Sequence, residues 1–427
     1  MTSDRASTEH ATPPLWRNRD FQLLFAGSLT SVVGSEIAAI AYPLLVLAVT
    51  GSPAQAGLVA FAETAAAVLV GLPAGALVDR WNKRAVMVTC DALRLVAAGS
   101  IPLALAANRL SLTQIVAVAA VTGAAGSFFY PARMVAVRRT VSADQLSAAL
   151  SQNQARVAIG ALVGPSAGGA LFGLGRALPF LADAVSFGVS LLCVLGIRTP
   201  LRVEPDGSTG QRRLGAEITE GFAWIWARRQ LRAMLLYATA VNLAAGALLL
   251  LVIVLASNLG ASPSTVGLIL TGAAVGSLLG AVASAWLQRH VSPPALMLLV
   301  GGVASVAICA MALPFGVAWI GLTLGTVMVF SPAAVVAINL MIMRDVPERL
   351  QGRAMSAMDL LLSVARPLGP LVAGVLLEYA GARVTAVLLG GYLALCVILA
   401  VTNPGFRGRS DRDRPAEDTI DPAPAEP

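Results

Sequence analysis

Long unbroken apolar runs are the feature that most constrains the fold of this chain. One of them, residues 244–256, reads AAGALLLLVIVLA. A soluble helix or strand keeps one face polar, because that face meets water. Here 57% of the 427 residues are hydrophobic and 12% are charged, whereas an ordinary soluble domain is about 25% charged. The chain is therefore expected in a membrane, and its unbroken runs exclude the alternating strands of a barrel.

The apolar content is enough for about a dozen spans of roughly 20 residues each. We predict an all-α membrane protein with twelve transmembrane helices in two six-helix bundles. The predicted helices are residues 21–48, 54–78, 85–107, 112–132, 152–174, 177–197, 231–257, 264–287, 295–313, 317–343, 355–378 and 382–401. The predicted divisions are an N-terminal tail at 1–20, a first bundle at 21–197, a central loop at 198–230, a second bundle at 231–401 and a disordered tail at 402–427. The central loop carries EITEGFAWIWARRQLR, which is typical of an amphipathic helix on a membrane surface.

The placement of basic residues predicts the orientation of the spans. Most of them fall in alternate loops, namely Arg80, Lys83, Arg84, Arg133, Arg138, Arg139, the arginines from Arg198 to Arg232, Arg289, Arg344, Arg349 and Arg353. The intervening loops hold Arg109, Arg176 and Arg383. Because cytoplasmic loops carry an excess of basic residues, both termini are expected in the cytoplasm. The net charge of +7 then indicates membrane topology and not nucleic-acid binding, and no cleavable signal peptide is expected, because the first span is too long for one.

A weak internal repeat relates the two predicted bundles. Gly164-Pro165 aligns with Gly369-Pro370, and Gly169 aligns with Gly374. The stretch GLPAGALVDR at 71–80 aligns more weakly with GAVASAWLQR at 280–289. Parallel repeats of this kind are one architecture of secondary transporters, in which the substrate site lies between the halves.

Two motifs carry a resemblance to a known family. The stretch GALVDRWNKR resembles the loop signature between the second and third helices of the major facilitator superfamily, and the matching residues are Gly75, Leu77, Asp79, Arg80, Lys83 and Arg84. Asn82 stands where that family usually has Gly, and we expect it to form the left-handed turn in its place. The stretch GALVGPSAGG is similar to the fifth-helix signature of drug and metabolite/proton antiporters, with the motif residues Gly160, Gly164, Pro165, Gly168 and Gly169. The flanking sequences FFYPAR, VPERLQGRAMS and EITEGFAWI look like the branch that contains enterobactin and macrolide exporters.

The resemblance implies a gating role for the loop signature. In the family this Asp helps to latch the two halves together in the outward-facing state, so Asp79 is expected to pair with Arg133 and with the eleventh helix near Gly352 to Ser356. Asp79 is also expected to cap exposed N–H groups. The basic residues Arg80, Lys83 and Arg84 are expected at anionic lipid headgroups. The alternative is that this cluster only anchors the topology.

The glycines of the antiporter motif have a mechanical interpretation. Small residues at four-residue spacing let another helix approach closely, and Pro165 removes a backbone hydrogen bond. A tightly packed helix of this kind would seal the protein against ion leak, so a bulkier residue at Gly164 is expected to abolish coupled transport. Packing alone is the alternative, because Gly and Pro are frequent in membrane helices.

Charges inside the predicted spans are the candidates for coupling to protons. Each costs about 3 kcal/mol at the bilayer centre on insertion scales, and so requires a reason. We expect Glu36 to carry the proton, with Glu63 and Asp91 as further candidates and Arg94 as a possible partner one turn from Asp91. For Asp91 and Arg94 a purely structural role is the alternative. The other charges in the spans are Arg156, Asp183, Asp359 and Arg366.

The remaining patterns indicate no cofactor and no metal. The single lysine, Lys83, lies in no Gly-x-x-x-x-Gly-Lys-Ser/Thr motif, which excludes a P-loop. The two histidines lie outside the predicted bundle core, and the four cysteines are scattered through separate helices. Neither set predicts a metal site or a disulfide framework.

The predicted cavity suits an apolar ligand. Its candidate residues are Phe25, Tyr42, Phe61, Phe129 and Asp359, and packing or lipid contact is the alternative for each aromatic ring. We predict a monomeric transporter of the plasma membrane, not an enzyme, which exports a small hydrophobic or amphipathic compound in exchange for protons. The alternatives are an importer, a lipid or siderophore carrier of the same fold, and a non-transporting sensor or scaffold.

Overall fold

The computed structural model describes residues 14–201, 214–403 and 406. Most of the two predicted tails lies outside these residues. The helices of the first half are α1 Arg19–Thr50, α2 Pro53–Arg80, α3 Lys83–Ala106, α4 Leu112–Thr140, α5 Leu146–Leu174 and α6 Leu178–Gly196. They are followed by α7 Leu214–Ala227, α8 Arg229–Asn258, α9 Pro263–His290, α10 Pro293–Ala310, α11 Val317–Asp345, α12 Glu348–Ala365, α13 Leu368–Tyr379 and α14 Ala382–Thr402.

Twelve segments of the described chain are long and apolar enough to cross a membrane, which confirms the predicted number of spans. Helices α1 to α6 supply six spans and helices α8 to α14 supply the other six, because α12 and α13 together make one. Three predicted boundaries are wrong by more than a turn, since α4 continues to Thr140, α5 begins at Leu146 and α12 begins at Glu348. These helices extend past their apolar parts, where the sequence offers no hydropathy signal.

The eleventh span is not the single helix predicted at 355–378. It begins at Glu348 and is interrupted at Arg366 and Pro367, between α12 and α13. Pro367 and Pro370 have no backbone N–H, so carbonyl groups one turn earlier lose their helical partners. Such a break is tolerated in a membrane protein where neighbouring helices or a cavity accommodate the freed carbonyls.

The halves are joined at one end of the bundle. We call the end where α1 begins and α2 ends the basic end, and the end where α1 ends and α2 begins the distal end. Contacts between the halves are concentrated in two helix pairs, α5 with α9 and α2 with α13. A buried apolar cluster adds to them, since Ile40–Val46 of α1 and Leu250–Ala256 of α8 are buried on all sides. A helix segment that is apolar on every face is stable when it is buried on all sides in this way.

Matching turns position α2 and α9 in the two halves. Each helix follows a serine and begins with a proline, Ser52-Pro53 and Ser262-Pro263. The Ser52 hydroxyl accepts a hydrogen bond from the Gln55 N–H at 3.3 Å, and Ser262 caps α9 in the same way. Proline at the first helical position sacrifices no hydrogen bond, so both starts are fixed locally by sequence.

Helix α7 lies in the central loop, which confirms the prediction of a helix there. Its side chains Trp224 and Ile225 pack on the basic ends of α8 and α12. Glu220 of α7 also forms an ion pair with Arg353 of α12. The apolar face of α7 therefore packs on the second half of the protein, and part of this face remains exposed to the surroundings of the protein.

Candidate functional site

The loop signature connects α2 and α3 through side-chain caps. Asn82 is the N-cap of α3 and accepts a hydrogen bond from the Arg84 N–H at 3.0 Å. Its φ of −67° is not left-handed, so the predicted turn geometry is wrong. Asp79 lies in the last turn of α2 and leaves the capping of α3 to Asn82. The departure from the family's usual Gly is therefore accommodated by an ordinary cap.

The three basic residues of this loop have different environments. Lys83 is 1% exposed, and its Nζ donates to the backbone carbonyls of Asp79 at 2.6 Å and Trp81 at 3.1 Å. A cation at the last carbonyls of a helix is favourable, so Lys83 caps the C-terminal end of α2. The prediction that Lys83 reaches the lipid headgroups is therefore wrong. Arg84 donates to the Leu195 carbonyl in α6. Arg80 is exposed at the basic end.

Arg133 is held within the first half. It is buried, and its Nη1 donates to the Asn153 Oδ1 at 2.8 Å. The same amide oxygen accepts from Arg156 Nη2 at 2.9 Å, while Arg156 Nη1 reaches the Ser28 carbonyl at 3.0 Å. Helices α1, α4 and α5 are thus tied together near the basic end. The predicted contact between Arg133 and Asp79 is not among the hydrogen bonds of these described side chains.

The two halves are separated at the basic end. Asp79 is exposed, as is Gly352 on α12. A Cβ atom built on Gly75 or on Gly352 would have no described neighbour within 4 Å. Helices α2 and α12 make few contacts, although α2 and α13 are closely packed at the distal end. The structure is therefore open between the halves at the basic end.

Two glycine crossings close the distal end. A Cβ built on Gly169 of α5 would lie 3.1 Å from the Cα of Gly267 in α9. In the other crossing, a Cβ on Gly374 of α13 would lie 3.1 Å from the Cα of Gly57 in α2. Small residues allow such backbone contact between membrane helices. The internal repeat therefore corresponds to a pair of equivalent contacts between the halves.

The other glycines of the fifth-helix motif contact α1 and not α9. A Cβ on Gly164 would overlap the Cβ of Glu36, and Gly160 and Gly168 face α1 in the same way. Pro165 lies inside the helix, and its carbonyl oxygen meets Gly267 of α9. The motif thus serves two interfaces, one within the first half and one between the halves.

A line of charged residues runs from the boundary between the halves into the first half. Glu36 interacts electrostatically with Arg366, which lies at the break of the eleventh span in the second half. Glu63 interacts with Glu36 and with Arg94. Arg94 in turn is electrostatically coupled to Asp183. The structure therefore connects the predicted coupling residues Glu36, Glu63 and Arg94 to one another.

Asp91 and Arg94 do not form the direct pair predicted from their spacing. Asp91 Oδ2 accepts a hydrogen bond from the Ser190 hydroxyl of α6 at 2.7 Å, while its Oδ1 has no described partner. The Arg94 guanidinium lies 5.4 Å from the ring centroid of Phe129 and 5.3 Å from that of Phe187. Arg94 therefore makes cation–π contact with two buried rings and interacts with Asp91 electrostatically, without a direct hydrogen bond between these two described side chains.

Asp183 also belongs to this line of charged residues, although the sequence did not predict a role in proton coupling for it. It is 1% exposed, and neither of its carboxylate oxygens has a described hydrogen-bond partner of good geometry. It faces Gly34 of α1, and Ser35 and Arg94 are its polar neighbours. A buried carboxylate with so few partners is costly unless it is neutral, paired or functional. Its partners lie on α1 and α3, so no local sequence pattern could reveal them.

The predicted cavity residues lie in different environments. Tyr42 is 4% exposed and packs edge-to-face on Phe180 at 5.1 Å, and Phe129 is also buried, so neither lines open space here. Phe25 stacks on Phe21 at 6.4 Å. Phe61 is half-buried on α2, and Asp359 is exposed on α12. Two of the aromatic candidates are therefore packing residues in this conformation.

Gly57 and Gly267 are contact residues that sequence reasoning missed. Both lie at the start of a helix within the pattern Ser-Pro-x-x-x-Gly, at Ser52 to Gly57 and at Ser262 to Gly267. This repeated pattern was the available signal. A search for repeats at helix starts would have found it, because the same local turn is used twice.

Twelve spans in two repeated halves, closed at one end and open at the other, are the architecture of a membrane transporter. Residues 10–402 match the family described as transmembrane secretion effector. The chain therefore belongs to this family of major facilitator superfamily transporters, and it is a multi-pass membrane protein.

Related proteins include drug efflux pumps. The multidrug efflux pump Tap of Mycolicibacterium fortuitum is 30% identical over 397 residues, which cover 90% of this chain and 95% of that protein. The multidrug efflux pump Tap of Mycobacterium tuberculosis is 29% identical over 420 residues, which cover 93% of this chain and 98% of that protein.

Solved structures with a similar fold include other transporters. The nucleoside transporter NupG has a TM-score of 0.75 at 13% identity, covering 91% of this chain and 100% of that one. A bacterial homolog of the human lysosomal transporter Spinster, inward-facing and unoccupied, has a TM-score of 0.68 at 17% identity and covers 91% of this chain and 96% of that one. At these identities the similarity concerns the fold.

Proposed function

We propose that this protein exports a small hydrophobic or amphipathic organic compound across the plasma membrane in exchange for protons by alternating access. The single observation that carries this proposal is the line of charged residues that begins at the boundary between the halves, at Glu36 and Arg366, and continues to the buried Asp183. The similarity to multidrug efflux pumps supports the direction of transport. With both termini in the cytoplasm, as the basic residues predict, the basic end is cytoplasmic and the described conformation is inward-facing.

The charges of this line favour proton exchange. The acidic residues Glu36, Glu63, Asp91 and Asp183 outnumber the arginines Arg94 and Arg366 with which they interact. Carboxylates close together in a low-dielectric interior share protons, because neighbouring negative charges repel each other. Movement of Arg366 with the second half would change the charge balance at Glu36. In this way a change of conformation is coupled to binding or release of a proton.

The mostly apolar interior and the few polar groups favour an apolar or amphipathic compound. Phe25 and Phe61, which are half-buried, and Asp359, which is exposed on α12, are the candidate contacts that remain accessible. A carboxylate such as Asp359 would favour a substrate with a positive charge.

The test is intracellular accumulation of a panel of dyes, antibiotics and siderophores in cells with and without the protein, each repeated with a protonophore. We expect lower accumulation of at least one compound, and restoration of its level by the protonophore. Glu36→Gln is expected to abolish this difference at every pH while the purified variant still binds the compound. Glu220→Gln makes the same chemical change at an exposed carboxylate outside the spans, where it weakens only a surface ion pair with Arg353, and it serves as the matched control.

Two outcomes would contradict the proposal. Full activity of Glu36→Gln would exclude Glu36 as the coupling residue. Higher accumulation in cells that carry the protein would instead indicate an importer, which is the second candidate function.

We further propose that Asp79 is part of a latch that closes the basic end in the outward-facing state. It is exposed in the open conformation, as is the facing segment of α12 at Gly352. Closure would bring the α12 segment of the second half toward its carboxylate, and Arg133, which lies in the same half as Asp79, is the proposed second partner. Charge-assisted hydrogen bonds are typically worth about 1.5–3 kcal/mol, so their loss would disfavour the closed end by about ten- to 150-fold.

Replacement of Asp79 by asparagine is expected to lower the transport rate by about tenfold or more, because the latch loses its charge. Cysteine labelling from each side of the membrane should show unchanged topology, since Arg80, Lys83 and Arg84 remain. Normal turnover in a variant with normal expression and topology would leave the cluster as a topology anchor alone.

A further inference from the structure

Glu378 joins the two halves at the distal end. It lies in the last turn of α13, and its Oε2 accepts a hydrogen bond from the Ser52 hydroxyl at 2.8 Å. The same oxygen accepts from the Ala54 N–H in the first turn of α2 at 3.3 Å. Ser52 and Ala54 belong to the first half, whereas Glu378 belongs to the second. These bonds therefore exist only while α2 and α13 are in contact.

Within the described chain, the negative charge of Glu378 is stabilised only by its contact with α2. A negative charge at the C-terminal end of its own helix is disfavoured by the helix dipole, whereas one at the N-terminus of another helix is favoured. Ser52 Oγ donates its proton to Glu378 and accepts from the Gln55 N–H, so one hydroxyl serves both contacts. If the distal end opened, the carboxylate would lose its contact with the N-terminus of α2. It would then remain only beside the unfavourable dipole of its own helix, α13.

The contact is present at one of the two equivalent crossings. Glu378 lies one turn beyond Gly374, and the matching position beyond Gly169 in α5 is Gly173. A Cβ on Gly173 would lie 3.3 Å from the hydroxyl oxygen of Ser264, but glycine provides no acceptor there. The glycine crossings are thus duplicated in the fold, while the charged contact is an addition to the second half.

We propose that Glu378 is the latch of the distal gate and sets the fraction of molecules in which that end is closed. The proposal rests on the alternating access proposed above. It assigns to Glu378 the role at the distal end that Asp79 has at the basic end. The latch must break in each transport cycle, so its strength determines how readily the distal end opens.

The test measures the opening of the distal end without substrate or proton gradient. After the four native cysteines are replaced by alanine, spin labels are attached at Ala107→Cys and Ser257→Cys, which are exposed positions at the distal ends of the two halves. Distances between the labels are measured by double electron–electron resonance in lipid nanodiscs. We expect Glu378→Ala to raise the ratio of long-distance to short-distance populations about fivefold, because a charge-assisted contact is lost. Glu378→Gln keeps an uncharged acceptor and should show a smaller increase.

Two control variants make the result decisive. Tyr379→Ala changes the exposed neighbouring residue and should leave the distances unchanged. Gly57→Leu places a bulky side chain in the crossing itself and should increase the long distances. A Glu378→Ala distribution equal to that of the parent, while Gly57→Leu opens the distal end, would overturn the latch and leave the proposed transport function intact. No opening in any variant would overturn both the latch and alternating access at this end.

Discussion

Leucine at Gly169 is expected to abolish transport by preventing the distal end from closing. A Cβ at this position already overlaps the carbonyl oxygen of Pro263 and meets the backbone of Gly267. Backbone atoms cannot move aside as the end of a flexible side chain can, so the halves must separate. Overpacking of this kind costs about 1–3 kcal/mol or more, which corresponds to a loss of closed molecules of about five- to 150-fold.

The measurement is transport by cells together with the distance between labelled distal ends. The internal repeat predicts the same defect for Gly374→Leu, because Gly374 makes the equivalent contact with Gly57. Gly272→Leu is the matched control, since a Cβ there has no described neighbour within 4 Å. Normal transport by Gly169→Leu at normal expression would mean that this crossing does not close the transporter.

Removal of the Arg94 guanidinium is expected to destabilise the first half and to stop transport. Arg94 is 8% exposed and is electrostatically coupled to Asp91, Asp183 and Glu63. Loss of one partner from a buried charged group typically costs about 3–5 kcal/mol. Arg94→Met keeps much of the apolar stem that packs between Phe129 and Phe187 and removes the charge.

The double variant separates charge from packing. In Arg94→Met/Asp183→Asn one of the uncompensated carboxylates is neutralised, so we expect part of the lost stability to return. Thermal unfolding of the purified variants, followed by size-exclusion chromatography, measures the effect, and Arg109→Met at the exposed distal end is the control. Equal losses of thermal stability in the single and double variants would show that Arg94 stabilises the protein through its stacking and not through its charge.

The spans could be predicted because hydropathy is a local property of the chain. The run at 244–256 is apolar all round, and the structure buries Leu250–Ala256 of it on every side. The break at Arg366 and Pro367 was missed, although its prolines were visible. Pro43, Pro102 and Pro165 lie inside unbroken helices. The presence of proline therefore does not by itself decide whether a membrane helix is interrupted.

The candidate site was only partly predictable, because its contacts join residues far apart in the sequence. Charge inside a span draws attention to Glu36 and Glu63, but nothing local shows that Asp183 lies beside Arg94. The sequence also assigned Lys83 to lipid, since a basic residue at a helix end gives no sign that it folds back onto the preceding carbonyls. The motif revealed Gly169, whereas its partner Gly267 became evident only from the packing of α5 on α9.

The most direct test of the central claim is proton-coupled export by the purified protein in proteoliposomes. The probe is a fluorescent cationic dye, and a pH-sensitive dye inside the vesicles follows the protons at the same time. With an imposed pH gradient, we predict that the dye moves against its own gradient while protons move in the opposite direction, and that Glu36→Gln loses both movements together. Dye movement that ignores the pH gradient and continues in Glu36→Gln would contradict proton exchange.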